Sequence, residues 1–79
     1  MKLLVISPEK ELLNQEVTAV ELPGTMGRFM VLTGHAPIIS SLTEGVIRYD
    51  MPQDEARQEL PISGGFVKVL NDEIVVCVG

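Results

Sequence analysis

The chain has 79 residues and a mass of 8.6 kDa, which leaves room for one domain with a small core. Hydrophobic residues make up 46% of the sequence and aromatic residues only 4%, so the chain is predicted to fold and is not an aromatic platform for single-stranded nucleic acid. The formal net charge of −5 has the wrong sign for a phosphate backbone and argues against nucleic acid as a partner.

The first half of the chain predicts short strands and no membrane insertion. The opening apolar run, Leu3 to Ile6, is interrupted by Ser7 and Pro8 and is too short for a signal-peptide core or a membrane span. Over residues 17–22 the side chains alternate between two faces, which is typical of a half-buried strand. Only the stretch His35–Thr43 could hold a helical turn, and its proline limits that turn to a short one.

Two hairpins are predicted in the second half. The first joins strand Ile47–Met51 to strand Glu59–Ile62 across the polar stretch that opens at Pro52. The second joins Phe66–Leu70 to Ile74–Val78 across an Asn-Asp-Glu sequence that tolerates turn conformations. Turn residues recur about every ten positions. The chain is therefore predicted to be all-β, a sandwich or barrel of short antiparallel strands.

No constellation in the sequence favours catalysis, a metal or a cofactor. His35 is the single histidine, and Cys77 is the single cysteine, so neither a nucleophile-base pair nor a zinc site is favoured. The alternation within Ile-Val-Val-Cys-Val predicts that Cys77 is a small core residue, and one cysteine indicates a reducing compartment. An independent adaptor or lysine-modified carrier domain stays open as an alternative, although Lys68 falls in mid-strand.

Two separated motifs resemble the epsilon subunit of F-type ATP synthases. They are L-P-G-T-M-G-R-F-M-V-L-T-G-H-A-P at residues 22–37 and I-S-G-G-F-V-K-V at residues 62–69, and an opening V-I-S-P-E precedes them. The resemblance covers the whole chain, residues 1–79, as one domain. It implies a flattened sandwich of two five-stranded, mostly antiparallel sheets with about ten short strands. Family members commonly continue into an inhibitory pair of C-terminal helices, which lies beyond the residues of this sequence.

The resemblance also implies a role, partners and a location. It implies a non-catalytic rotor subunit of the central stalk, which links the gamma subunit to the c ring of a proton- or sodium-driven ATP synthase. No cofactor is implied. The implied location is peripheral, on the cytoplasmic face of the bacterial inner membrane.

Three sets of residues follow from this resemblance. The stretch that meets the gamma subunit in the family corresponds to Ser7, Gly34, His35, Ala36, Pro37, Ile38, Ile39 and Ser40. The loop that faces the c ring corresponds to Thr25, Met26, Gly27, Arg28 and Phe29. Structural turns are expected at Pro23, Gly24, Gly45, Gly64 and Gly65.

Three of these positions carry particular expectations. His35 is the favoured gamma contact, with a turn histidine that bonds to neighbouring backbone as the other interpretation. Arg28 stands where family members often carry an acidic residue, and this reverses the charge that would face the c ring. Thr33 stands where proline usually precedes the Gly-His pair, which restores a backbone N–H donor.

Overall fold

Nine β-strands and no helix make up the computed structural model, which describes residues 1–79. The strands are β1 Lys2–Ile6, β2 Glu11–Glu16, β3 Ala19–Gly24, β4 Gly27–Leu32, β5 Ile38–Leu42, β6 Gly45–Asp50, β7 Gln58–Ile62, β8 Gly65–Leu70 and β9 Glu73–Val78. The all-β prediction is confirmed. The short helical turn expected within residues 35–43 is wrong, because residues 38–42 instead pair with β8 along their whole length.

The strands form two layers that are joined at one corner. One layer has five strands in the order β2-β1-β9-β8-β5, and the other has four in the order β4-β3-β6-β7. A single bridge between Gly24 and Leu42 joins β3 to β5, so the hydrogen bonding continues around a curled sheet. All pairs are antiparallel except β1 with β9. The flattened sandwich is thus confirmed in outline, with nine strands where about ten were expected.

The core lies between the inner faces of these two layers. A cluster of 13 buried hydrophobic residues draws on both, with Leu3 and Ile74 from the five-stranded layer and Val20 and Ile47 from the four-stranded layer. These four side chains are 0% exposed. Because side chains alternate across a strand, each layer presents its other face outward, and these outer faces are available for contacts.

Both predicted hairpins are present. Strand β6 pairs with β7, and β8 pairs with β9. The second hairpin turns through Asn71 and Asp72, whose φ angles are +52° and +62°. Two successive residues with positive φ match the twist of the flanking strands, and Asn and Asp tolerate this conformation.

Cys77 departs from the sequence-based prediction, because it is exposed rather than part of the core. Within β9 the inward positions are Ile74 and Val76, both 0% exposed, so Cys77 falls on the outer face. In a run of five consecutive apolar residues the sequence does not reveal which alternate set points inward. The pairing of β9 with β1 and β8 decides it.

Candidate functional site

Part of the outer face of the five-stranded layer is apolar. We call the surface formed by Ile6, Ile39, Phe66, Val75 and Cys77 the apolar face. Ile39 is 77% exposed and Phe66 is 64% exposed, although both are large hydrophobic residues. A shallow depression of about 330 Å³ is lined by four members of the face, together with Val67 and Lys68. Contiguous exposed apolar surface of this kind is typical of protein-binding sites.

Strand register explains why these side chains meet. Cys77 of β9 lies opposite Ile6 on β1 and Phe66 on β8. Lys68 lies between Ile39 on β5 and Val75 on β9. Neighbouring strands lie about 4.8 Å apart, so these residues form one continuous patch across four strands. Lys68 is in mid-strand, as the sequence predicted, and supplies the positive charge within this patch.

Ser7 lies beside the apolar face. A second depression of about 210 Å³ is lined by Ile6, Ser7, Pro8, Cys77 and Val78. The structure therefore brings Ser7 and Ile39, which are 32 positions apart in the sequence, to the same side of the molecule through Cys77. The Ser7 hydroxyl also donates to the Lys10 carbonyl at 3.2 Å and closes the turn between β1 and β2.

His35 and its neighbours form an exposed connection between β4 and β5. The His35 backbone N–H donates to the Leu32 carbonyl at 3.0 Å, and the ring Nδ1 lies 2.6 Å from the Ala36 carbonyl oxygen. The ring therefore contacts neighbouring backbone, which is the geometry of a turn histidine. Gly34 has a φ of +86°. Along the start of β5, Ile39 is exposed, while Ile38 and Ser40 are half-buried.

The stretch Thr25–Phe29 forms the tip of the β3–β4 hairpin, with Thr25 and Met26 as its two turn residues. Met26 is 98% exposed. Thr25 is tied to β5, because its N–H donates to the Ser41 carbonyl at 3.1 Å and the two hydroxyl oxygens lie 2.7 Å apart. Phe29 packs against the core. These contiguous residues therefore have different environments, and Met26 is almost fully exposed to solvent.

Arg28 is bound within the molecule. Its Nε donates to Glu21 Oε1 at 2.9 Å, and its Nη2 donates to the Val46 carbonyl at 2.6 Å. The same Glu21 oxygen accepts from Arg48 Nη1 at 2.9 Å, and Arg48 Nε donates to Glu59 Oε2 at 2.9 Å. The outer face of the four-stranded layer thus carries a charged row across all four strands, in contrast to the apolar face.

These contacts alter the acidity of the charged groups. Hydrogen bonds from Arg28, and then from Arg48, hold the pKa of Glu21 below its usual value. Hydrogen bonds to Glu59 and Glu21 raise the pKa of Arg48. A bidentate bond from Arg57, at 2.9 and 3.0 Å, likewise lowers the pKa of Asp50. In each case the hydrogen bonds favour the charged form of the shifted group.

The expected turn residues lie where chains approach closely. A Cβ on Gly65, whose φ is +147°, would lie 2.0 Å from the Cys77 carbonyl oxygen. A Cβ on Gly45 would lie 3.0 Å from the Pro23 Cβ, and Gly24 and Gly64 also lie against neighbouring backbone. No group of three His, Cys, Asp or Glu side chains converges as metal ligands would. The structure also has no helix of the length and hydrophobicity that a bilayer crossing requires.

The sequence did not single out Phe66, Val75 and Cys77 as part of a binding surface. The available signal was Phe66, which is a large aromatic residue one position out of phase with the inward pair Val67 and Val69. The other two residues lie in an uninterrupted apolar run that carries no phase information. Only the fold places the three beside Ile39.

Fold and surface together define a small β-sandwich domain with an apolar patch on one outer face and a charged row on the other. Residues 1–79 match the family model described as ATP synthase, Delta/Epsilon chain, beta-sandwich domain. The chain belongs to this family.

Curated relatives carry the same family name. The chain is 43% identical over 74 residues to the ATP synthase epsilon chain of Magnetococcus marinus, covering 94% of this chain and 53% of the relative. It is 40% identical over 78 residues to that of Prochloron didemni, covering 99% of this chain and 56% of the relative. The chain therefore spans about half the length of these relatives.

Solved structures agree with the fold. A chain in the cryo-EM structure of the Euglena gracilis mitochondrial ATP synthase, comprising OSCP, F1 and c-ring, matches with a TM-score of 0.85 at 26% identity. That match covers 96% of this chain and 48% of the other. A chain in the central stalk and c-ring structure of the Tetrahymena thermophila enzyme matches with a TM-score of 0.82 at 16% identity, covering 99% and 62%, and supports the fold alone.

Proposed function

We propose that this chain forms the sandwich domain of a non-catalytic central-stalk subunit of an F-type ATP synthase, which links the gamma subunit to the c ring. Family membership and relatives named epsilon chain support the assignment. The Euglena match, in a complex that includes the c ring, supports the location beside that ring. In this proposal the domain lies peripherally, on the cytoplasmic face of a bacterial inner membrane, and rotates with a proton- or sodium-driven ring.

The observation that carries the proposal is the apolar face. Phe66 and Ile39 are large exposed hydrophobic residues on a rigid sheet, and such residues serve as anchors at protein interfaces. Ser7 lies at one side of this face, and Gly34–Ser40 leads into the strand that carries Ile39. We assign this surface, with Ser7 and residues 34–40, to the gamma subunit.

We assign the second contact, with the c ring, to the β3–β4 tip at Thr25–Phe29. Rotation requires that force pass between the two contacts without deforming the domain. Of the 45 backbone hydrogen bonds, 37 lie within strands, and Thr25 ties the tip to β5. A body held in this way keeps the tip fixed relative to the apolar face, as a rotor component must.

The test is the affinity of this chain for the gamma subunit of the same synthase, measured by calorimetry. Phe66→Ala and Ile39→Ala remove exposed anchors and should each weaken binding by roughly tenfold or more, the size typical of anchor residues. Met30→Ala removes a residue that is 41% exposed on a strand of the four-stranded layer and serves as the matched control, with an unchanged affinity.

The outcomes separate the possibilities. Loss of binding in Phe66→Ala and Ile39→Ala, with Met30→Ala unchanged, would support the assignment. Unchanged affinity in both face variants would overturn the gamma contact. If the unaltered folded chain does not bind gamma, the rotor proposal itself is contradicted and an independent adaptor domain becomes the better interpretation.

A further inference from the structure

Pro23 lies in the middle of a sheet, where proline is unusual because it has no N–H to donate. Strand β3 pairs with β6 from Ala19–Asp50 as far as Glu21–Arg48. Extending this antiparallel register by two residues places Pro23 opposite Val46. The Pro23 carbonyl accepts a hydrogen bond from the Thr43 N–H at 2.8 Å, so its main chain faces the β5–β6 side. On that side it has no N–H to offer the Val46 carbonyl.

Arg28 supplies the missing donor. Its Nη2 donates to the Val46 carbonyl at 2.6 Å. On β4, Arg28 is the direct cross-strand partner of Pro23, so its side chain reaches across β3 above the proline ring. Strands β3 and β6 pack closely here, because a Cβ on Gly45 would lie 3.0 Å from the Pro23 Cβ and 3.8 Å from Arg28 Nη1.

A second contact fixes the guanidinium in this position. Arg28 Nε donates to Glu21 Oε1 at 2.9 Å, and Glu21 is held in turn by Arg48. Two of the three guanidinium nitrogens therefore have partners on β3 and β6, and the positive charge is balanced inside the domain. An arginine held in this way is not free to extend toward a partner of the β3–β4 tip.

We propose that Arg28 is a positioning residue, which replaces the hydrogen bond that Pro23 cannot make and thereby holds the β3–β4 hairpin against β6. The tip then meets its partner through Thr25 and the uncharged, 98% exposed Met26 rather than through the arginine charge. This second part rests on the proposed function, in which the partner is the c ring. The expectation that a reversed charge at Arg28 faces the ring is replaced by an internal role.

The first test is a double-mutant cycle on stability in urea, using Arg28→Gln and Pro23→Ala. In the parent chain Arg28→Gln should raise the unfolding equilibrium constant by roughly tenfold, the size expected for a hydrogen bond from a charged donor. In a Pro23→Ala background the new N–H can bond to Val46, so the same change should have a clearly smaller effect. The amide proton of residue 23 should then be protected from hydrogen exchange.

Arg57→Gln provides the control for this cycle. It breaks another arginine–carboxylate pair on the same layer, the bidentate pair with Asp50, which has no contact with Pro23. Its effect should be the same with and without Pro23→Ala, since independent sites add. Equal effects of Arg28→Gln in both backgrounds, or an unprotected amide at residue 23, would overturn the positioning role of Arg28.

The second test measures binding of the chain to purified c ring while ionic strength rises from about 0.1 M to about 1 M, which shortens the screening length from roughly 10 Å to 3 Å. Met26→Ser should weaken binding, and the salt dependence should be the same in the parent and in the Pro23→Ala, Arg28→Gln double variant. A salt dependence that disappears in the double variant would show that Arg28 faces the ring. A parent chain that does not bind the ring would contradict the proposed function. The stability cycle would still decide whether Arg28 has the positioning role.

Discussion

Gly65→Ala should be among the most damaging single substitutions in this domain. Gly65 begins β8 with a φ of +147°, a conformation that costs a residue with a side chain roughly 1–3 kcal/mol. The added Cβ would also lie 2.0 Å from the Cys77 carbonyl oxygen on β9. The usual closest C···O approach is about 3.3 Å, so the strands must separate by more than 1 Å or the backbone must rotate.

The magnitude follows from adding these two effects. Overpacking of this kind costs a further 1–3 kcal/mol or so, which makes the total about 2–6 kcal/mol. A domain of 79 residues has a total stability of about 4–12 kcal/mol, so the variant loses a large part of it. With a urea dependence of about 1 kcal/mol per molar, the unfolding midpoint should fall by at least about 2 M.

The assay is urea unfolding followed by circular dichroism, and Gly27→Ala is the matched control. Gly27 also has a positive φ, +125°, but a Cβ there would meet nothing within 4 Å. The control therefore keeps the torsional cost and omits the clash with Cys77. If both variants have the same midpoint, the close approach of β8 and β9 at Gly65 does not contribute and the reasoning is refuted.

Three further predictions concern the core, the ion pairs and the thiol. Ile47→Ala, at a 0% exposed site, should lower the free energy of unfolding in urea by about 2–5 kcal/mol. Ile39→Ala on the apolar face should change it by less than about 0.5 kcal/mol. Similar losses in the two variants would contradict the assigned burial. The pKa of Asp50 is lowered from 3.8 by Arg57, so the stability from this pair is present above pH 3.8 and is lost as pH falls through the lower folded value. Below that pH, Asp50→Asn should weaken the dependence of the urea unfolding midpoint on pH. An unchanged pH dependence would contradict the ion pair between Asp50 and Arg57. Cys77 should react with a thiol reagent in the native state as fast as in urea, and protection that disappears only on unfolding would disprove its exposure.

Much of the fold could be predicted because its signals are local. Period-two alternation and turn residues predicted the β6–β7 and β8–β9 hairpins, and the Asn-Asp turn has the positive φ angles that these residue types permit. The stretch Ile38–Leu42 was less predictable. It contains no Gly, Pro, Asn or Asp and reads Ile-Ile-Ser-Ser-Leu, without clear alternation, so its strand conformation depends on pairing with β8.

The binding surface was only partly predictable. Motif resemblance selected Ile39 and Ser7, but these residues meet through Cys77 and Phe66, which belong to strands far away in the sequence. Such a patch has no local signature, because it is assembled by the order β1-β9-β8-β5. The direction of Arg28 was unpredictable for the same reason: its partners Glu21 and Val46 lie on two other strands.

The class of fold, the two hairpin turns and the family could be predicted from local sequence, because alternation, turn chemistry and motifs are properties of neighbouring residues. Which side of each apolar strand faces the core, and hence the exposure of Cys77, is visible only in the folded structure. The folded structure also shows that Arg28 donates its hydrogen bonds to Glu21 and Val46, within the domain. Both results depend on strand register, which sets the face of every side chain and is fixed only when distant strands pair.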